Sequence, residues 1–303
     1  FIVFFLALKN NYSIIHIRSF TSFFLVLLVL YKKLKIIYDI RGFWIYEKID
    51  RFNWNRKAYL TRLLLKIDCY FLGISDCIVT LTNESKNILV KKFPRKKIIK
   101  IPTCTNTYEF KEKKLYLKNI KNFGYLGSVT HAYNFNKVLI FIKKLTSFNK
   151  NIKLMIYSNS NKKQISDKIM KTKLLEKNYE IIQSKHNNIN NELEKIDVGI
   201  FFLNKNYSSK ASFPTKIAEF FAKNIPIICN DFNEDIVNIL EQKKVGLIYD
   251  FKIYNVREIF FKINEIYRIN SKEKNALKIA RSKYSYNYAN KIYSRIYNQI
   301  NDS

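Results

Sequence analysis

Short, mostly apolar runs alternate along this chain with segments whose apolar residues recur at helical spacing, and that rhythm limits the fold more than any other feature. Ser13–Ile17, Leu34–Ile40, Cys77–Leu81 and Lys97–Ile101 read as strands. Between them lie Thr21–Lys33, apolar almost all round and therefore deeply packed, Ala58–Leu72 with Arg62 and Lys66 outside, and Asn83–Lys91 capped by Thr82. Asn106–Lys121 is polar and aperiodic and holds the expected domain boundary. A second series follows, with strands at Asn122–Gly127, Lys153–Tyr157, Tyr179–Gln183, Ile196–Leu203, Ile225–Cys229 and Val245–Tyr249. Helices are predicted at Tyr133–Leu145, Lys162–Leu175, Asn188–Lys195, Glu234–Gln242 and Asn255–Ile269, with a helical tail through Tyr284–Ile300. Strands alternating with helices imply parallel sheets. The expected fold class is α/β, with two Rossmann-like domains, residues 1–110 and 118–283, facing a cleft, and with 284–303 packing back on the first.

Composition narrows the partners. Hydrophobic residues make up 48% of the 303, enough to bury a core. The 54 Lys and Arg against 24 Asp and Glu give a net charge of +30, which invites an anionic partner such as nucleic acid, a membrane surface or a phosphorylated substrate. An AT-rich coding bias, visible in the abundance of Lys, Asn, Ile, Phe and Tyr, explains part of that excess. No zinc-finger, helix-turn-helix or aromatic RNA-binding pattern is present and the lysines are spread, so no specific nucleic-acid partner is expected. Cys69, Cys77, Cys104 and Cys229 show no C-x-x-C spacing and read as reduced structural thiols of a cytoplasmic protein. His16, His131 and His186 are far apart, so no metal and no cofactor is expected. The apolar stretches Phe1–Leu8 and Phe20–Tyr31 fall short of the ~18 residues of a membrane span. Phe1–Leu8 also lacks the flanks of a signal peptide. The chain starts without Met inside an apolar run, so the expectation is that its beginning is missing.

The stretch Ser212–Asn230 carries the strongest functional signal. Pro214 suits the first position of a helix, and Ser212 or Thr215 offers an oxygen to the free amides there. Ile217, Phe220 and Phe221 form one apolar face, Asn224 suits the left-handed helix end, and Pro226 blocks continuation. Strand, polar loop, helix start and strand make a βαβ unit, where ligands sit beyond the strand ends and free amides favour a phosphate. Lys216 adds charge beside that point, and Glu219 lies one turn on, placed to accept hydrogen bonds from a ribose diol. The competing reading is a surface helix whose Lys and Glu are merely solvated.

Ser212, Pro214, Thr215, Lys216, Glu219, Ala222 and Pro226 resemble the donor-binding segment of the glycosyltransferase family 4-like enzymes, which have the GT-B fold. The resemblance implies that the loop and helix start hold a nucleotide diphosphate and that Glu219 binds the ribose. It further implies transfer with retention of configuration and a role in cell-surface polysaccharide synthesis. Many members place a second Glu eight residues earlier, on the donor sugar; here that position is Ala211. Relatives also begin with a strand, a Gly-rich loop and further βα units that this chain does not show.

A second segment, Asp39–Glu47, follows a buried strand. Arg41 is suited to grip a phosphate or carboxylate, and Asp39 or Glu47 to orient an acceptor hydroxyl, with Gly42 permitting the turn and Trp44 and Glu47 further into the loop. The alternative is an Arg–Asp pair that only stabilises the loop. The D-x-R-G-x-x-x-x-E pattern and Arg18–Ser19 match a subset of the same family. His16 falls where many relatives have functional histidines, but its strand position suggests a packed core residue. Gly127 and Ser128 close the first strand of the second domain, where backbone can approach a ligand, and Tyr133 either stacks on a base or sits in the core. Ser128–Asn136 lacks the Arg and Lys that many relatives use for the departing diphosphate, which leaves that task to Lys216, helped by Lys210.

The reading is a metal-independent glycosyltransferase that moves a sugar from a nucleotide-diphosphate donor to a glycan or lipid-linked acceptor. Its expected location is the cytoplasm, with peripheral contact to the inner face of the membrane. The alternative is a non-catalytic GT-B-like protein that binds a nucleotide sugar or polyanion.

Overall fold

The computed structural model describes residues 6, 9–10, 12–27 (24–27 as backbone), 34–113, 115, 120–129, 133–183, 189–252 and 255–302. Apart from Leu6, the apolar run Phe1–Leu8 lies outside the described residues, as do the end of the Thr21–Lys33 helix, His131, His186 and Asn188. The chain forms two compact units.

The first unit comprises Phe1–Thr103, Asn206–Phe213 and Asn287–Ser303. Its sheet is parallel and runs in chain order: β1 (Ile14–Arg18), β2 (Lys35–Asp39), β3 (Cys77–Thr80) and β4 (Lys97–Lys100). Isoleucine-rich strands such as β2 suit burial on both faces. Arg18 pairs with Asp39, and Asp39 with Val79, so three strands end at one level. Helices Phe20–Leu27, Trp44–Phe52, Tyr59–Ile74 and Asn83–Lys92 connect the strands. Thr82 caps the last of these by accepting from the Ser85 amide at 3.1 Å. The core joins Phe20, Phe23, Tyr38, Phe43 and Phe71, with the Phe23 and Phe71 rings stacked 4.0 Å apart. Ala211, from the inserted segment, packs into that core.

Trp44 and Glu47 are not in a loop, as the sequence suggested. Gly42, at φ 144°, turns the chain at once, and a helix starts at Trp44 with Ile45 buried. His16 is not a core residue either. It is exposed on β1, and its Nδ1 lies 2.6 Å from the hydroxyl of Tyr297 in the C-terminal helix Tyr286–Asn301.

The second unit comprises Cys104–Lys205 and Pro214–Tyr286. Its six parallel strands are β5 (Asn122–Leu126), β6 (Lys153–Tyr157), β7 (Tyr179–Ile182), β8 (Val198–Ile200), β9 (Ile227–Cys229) and β10 (Gly246–Ile248). They lie in the order β10-β9-β8-β5-β6-β7. The order reverses between β5 and β8, and an open α/β sheet leaves a crevice beyond the strand ends at such a reversal.

The helix Thr215–Ala222 lies against this sheet. It is buried from Lys216 to Ala222, on the face that carries Lys216 and Glu219 as well as on the apolar one, which rules out the competing reading of a solvated surface helix. Pro214 sits at the cap rather than the first helical position, with extended ψ of 131°, and no side chain caps the helix start. The Ser212 hydroxyl donates instead to the Ser208 carbonyl at 3.3 Å. The helix ends as expected, with Asn224 left-handed at φ 60° and the Ile225 amide donating to Phe220 O at 2.9 Å.

Two buried asparagines then tie that end down. Asn224 Nδ2 donates to Asn270 O at 2.9 Å, and Asn270 Nδ2 donates to the Lys244 and Ile266 carbonyls at 2.8 and 2.9 Å. Asn270 Oδ1 accepts from the Ala276 amide at 3.0 Å, and Asn270 itself is fully buried. Replacing it strands buried backbone groups that each cost about 1–3 kcal/mol when unsatisfied. Asn270→Ala is expected to lower the unfolding free energy by about 2–4 kcal/mol. Urea denaturation read by circular dichroism checks this, and an unchanged midpoint would contradict the anchoring role.

Candidate active site

A cavity of about 490 Å³ opens beyond the carboxyl ends of β5 and β6 in the second unit. Gly127 and Ser128 line it from the end of β5, Tyr157–Ser160 from the end of β6, and Thr215, Lys216 and Glu219 from the helix. Five of the seven donor-side residues singled out from the sequence therefore meet at one place: Gly127, Ser128, Thr215, Lys216 and Glu219. Ser212 and Pro214 do not line the cavity. Ser212 belongs to the first unit, and Pro214 shapes the helix start.

Lys216 turns inward. Its ammonium donates to the Leu126 carbonyl, lies 3.6 Å from the Tyr133 ring centroid, and has the Tyr125 and Phe201 rings at 5.0 and 5.3 Å. Burial drives its pKa from the usual lysine value down to about 7, with the Glu219 carboxylate opposing the shift. In place of the full charge expected at the helix start, Lys216 is thus only partly charged near neutral pH. Gly127 is required here by its φ of 117°, and a Cβ would in addition stand 3.1 Å from the ammonium.

Tyr133 is held by a bridge to Leu203 and by the Asn134 amide, which donates to Phe202 O at 2.8 Å. It is half-buried and lines the cavity, so it belongs neither wholly to the core nor wholly to solvent. Burial, with Glu219 nearby, raises its pKa to about 12, so it is a neutral phenol at ordinary pH. Glu219 is 7% exposed and lines the cavity, which disposes of the solvated-surface reading for the helix.

The hydroxyl-rich segment Tyr157–Ser160 was missed from the sequence. Ser160 Oγ accepts from the Val129 amide at 3.2 Å, and Ser158 Oγ accepts from the Ser160 amide at 3.1 Å. The available signal was a run of small polar residues directly after the apolar strand Lys153–Tyr157. Lys210, expected to help Lys216, is in the first unit and pairs with Glu84 at 3.0 Å. Lys137 stands over the Phe251 ring at 5.0 Å.

Asp39, Arg41 and Glu47 gather in the first unit. Asp39 is buried, and its Oδ2 accepts from the Tyr293 hydroxyl at 2.9 Å and faces Arg41 Nη1 at 3.8 Å. Arg41 Nη2 also donates to Thr103 Oγ1 at 3.2 Å. Arg41 and Glu47 line a small cavity of about 70 Å³ together with Ser19, Tyr38, Trp44 and Asp68. The Glu47 carboxylate fills the space where a Cβ on Gly42 would stand. Burial raises the pKa of Glu47, and it pushes Asp68 up to about 6. Among the described residues no three His, Cys, Asp or Glu side chains gather as a metal-ligand group. No helix among them is long and apolar enough to cross a membrane.

Comparison with known proteins fits this arrangement. No curated protein sequence matches the chain. Among solved structures, the chain superposes on sucrose-phosphate synthase from Thermosynechococcus elongatus with a TM-score of 0.71 at 12% identity, covering 97% of this chain and 75% of the synthase. TarM of S. aureus gives a TM-score of 0.73 at 15% identity, covering 99% of this chain and 57% of TarM. HepE of Anabaena, solved with UDP and glucose, gives 0.68 at 10% identity, covering 98% and 81%. At these identities the likeness is one of fold, and the chain spans little more than half the length of TarM. The family of glycosyl transferases group 1 matches residues 107–283, more than half of the chain and nearly all of the second unit. With that match and two parallel α/β units of the GT-B class, the chain belongs to the group 1 glycosyl transferases.

Proposed function

We propose that the chain transfers a sugar from a nucleotide-diphosphate donor to a glycan or lipid-linked acceptor, without a metal and with retention of configuration. The observation that carries this reading is Glu219, a nearly buried carboxylate lining the same cavity as Gly127, Ser128, Thr215 and Lys216. In this reading Glu219 accepts from the ribose hydroxyls. The diphosphate lies against the start of the Thr215–Ala222 helix, whose end is free of side-chain caps. TarM and HepE, with the same fold, were each crystallised with UDP, which favours a uridine nucleotide as the first probe.

Transfer breaks the bond from the anomeric carbon to the diphosphate oxygen and forms one to an acceptor oxygen. The negative charge that grows on the departing diphosphate is the main quantity to stabilise. Lys216 and the helix amides take that role, because Ser128–Asn136 offers no Arg or Lys and Lys210 is paired to Glu84. Arg41, held by Asp39 and Thr103, acts on the acceptor side, where Asp39 or Glu47 orients the acceptor hydroxyl.

One observation favours a second reading, a nucleotide-sugar binder without transfer. The position of the family's donor-sugar Glu is Ala211, packed fully buried in the apolar core of the first unit, where a carboxylate would be costly.

Both readings share the Glu219 test. Glu219→Ala removes charge-assisted hydrogen bonds worth about 1.5–3 kcal/mol each. UDP affinity in calorimetric titration is expected to fall at least about tenfold, with an unchanged circular dichroism spectrum. Equal affinity removes Glu219 from the site. Arg41→Ala separates the readings: turnover of a UDP-sugar is expected to drop while UDP affinity holds. Turnover that survives leaves Arg41 as a loop-holding residue, and a wild type that binds without turnover favours the binder.

A further inference from the structure

The outward face of the Tyr59–Ile74 helix is apolar where a surface helix is normally polar. Its inward face is accounted for: Thr61, Phe71 and Leu72 are buried, and Phe71 stacks on Phe23. On the other side Tyr59 is 82% exposed, Leu60 62%, Leu63 39% and Tyr70 56%. At 3.6 residues per turn, Tyr59, Leu63, Lys66 and Tyr70 fall on one line along the helix, with Leu60 and Ile67 beside it. Phe52, at the end of the preceding helix, is 49% exposed, and Trp54 follows in the connecting turn. Large apolar side chains gathered on one exposed face mark an interaction surface.

Between Asp50 and Asp68, which flank it, the segment that builds this face carries charges of one sign only. Arg51, Arg56, Lys57, Arg62 and Lys66 are exposed, and from Arg51 to Ile67 the chain contains no Asp or Glu. We propose that this face docks on an anionic lipid bilayer, with Tyr59, Leu60, Leu63 and Tyr70 entering the headgroup region and the five cations meeting lipid phosphates. An amphipathic helix with a basic rim and aromatic residues at its border has the chemistry of an interfacial helix. Trp and Tyr are the side chains that settle at the boundary between headgroups and acyl chains.

The alternatives fit less well. A second copy of this chain bringing the same face would set five cations against five, a like-charge juxtaposition that opposes association. A single-stranded nucleic acid would use the cations and stack bases on the tyrosines, but it would leave the aliphatic Leu60 and Leu63 without an apolar partner. A bilayer uses both halves of the surface, the two leucines included. The face is independent of sugar transfer, so docking stands or falls without the catalytic reading. If both hold, the lipid-linked class of acceptor is favoured over a soluble glycan.

Sedimentation with vesicles tests the proposal. The wild-type chain is expected to pellet with phosphatidylcholine–phosphatidylglycerol vesicles, to remain in solution with phosphatidylcholine alone, and to be released by added salt. Arg56→Gln with Arg62→Gln is expected to weaken binding about 25-fold, at roughly fivefold per charge. Leu60→Ser is expected to weaken it roughly tenfold. Melting temperatures close to wild type show that these surface variants fold. Equal binding to both lipids, no binding to either, or variants that pellet like wild type would overturn the proposal. So would a dimer in lipid-free ultracentrifugation that Leu60→Ser dissociates, or an affinity for single-stranded oligonucleotides without any for vesicles.

Discussion

An ammonium group sealed between a carbonyl oxygen and an aromatic face is the interaction on which the rest of the site depends. Placing Lys216 inside the second unit costs desolvation, which is why its pKa falls to about 7. The cost is offset locally by the Leu126 carbonyl, the Tyr133 ring and the nearby Glu219 carboxylate. Several other choices follow from that placement. Residue 127 is glycine because its φ of 117° strains any residue with a side chain, and a Cβ there would also press on the ammonium. The helix must be buried along its length and its far end tied by Asn224 and Asn270, since a shift of the helix would pull Lys216 from its partners. The site is thus a buried amine that links a strand end to a helix start.

The first unit solves a parallel problem differently. Arg41 is oriented by Asp39 and Thr103, and Asp39 in turn accepts from Tyr293 of the C-terminal helix. The last residues of the chain thereby fix a candidate acceptor-side carboxylate, while Tyr297, one turn later, holds His16. Burial raises the pKa of both Glu47 and Asp68 in one small cavity, so protons there are held more tightly than on exposed carboxylates. Of the two, Asp68, pushed up to about 6, is the kind of group that can accept and return a proton close to neutrality.

Much of this was legible in the sequence because strand ends in parallel sheets carry the chemistry. Element order placed Gly127, Ser128, Thr215, Lys216 and Glu219 at strand ends and a helix start, the resemblance singled them out as donor-side residues, and they line one cavity. The left-handed Asn224 was likewise visible from residue type. The misses have physical causes. Nothing local distinguishes a lysine that points to solvent from one that turns beneath a sheet, so the burial of Lys216 was invisible. His16 depended on a partner 281 positions away, beyond any local pattern. Glu47 was placed in a loop because the helix at Trp44 starts without a side-chain cap, the usual start signal. Tyr157–Ser160 acquires its role from sheet order, which places β6 beside β5.

Proton linkage to donor binding tests this account most directly. At pH 8.5 an amine with a pKa of about 7 is largely neutral, and an anionic diphosphate at the helix start would raise that pKa and draw a proton onto Lys216. A nucleotide sugar has no phosphate group that titrates near this pH, so the proton must come from buffer to protein. Calorimetric titration of UDP-glucose in two buffers of different ionisation enthalpy should show net uptake approaching one proton per donor bound, and Lys216→Met should abolish it. Equal observed heats in the two buffers, with only dilution subtracted, or uptake that persists in Lys216→Met, would contradict the claim that this buried ammonium receives the diphosphate.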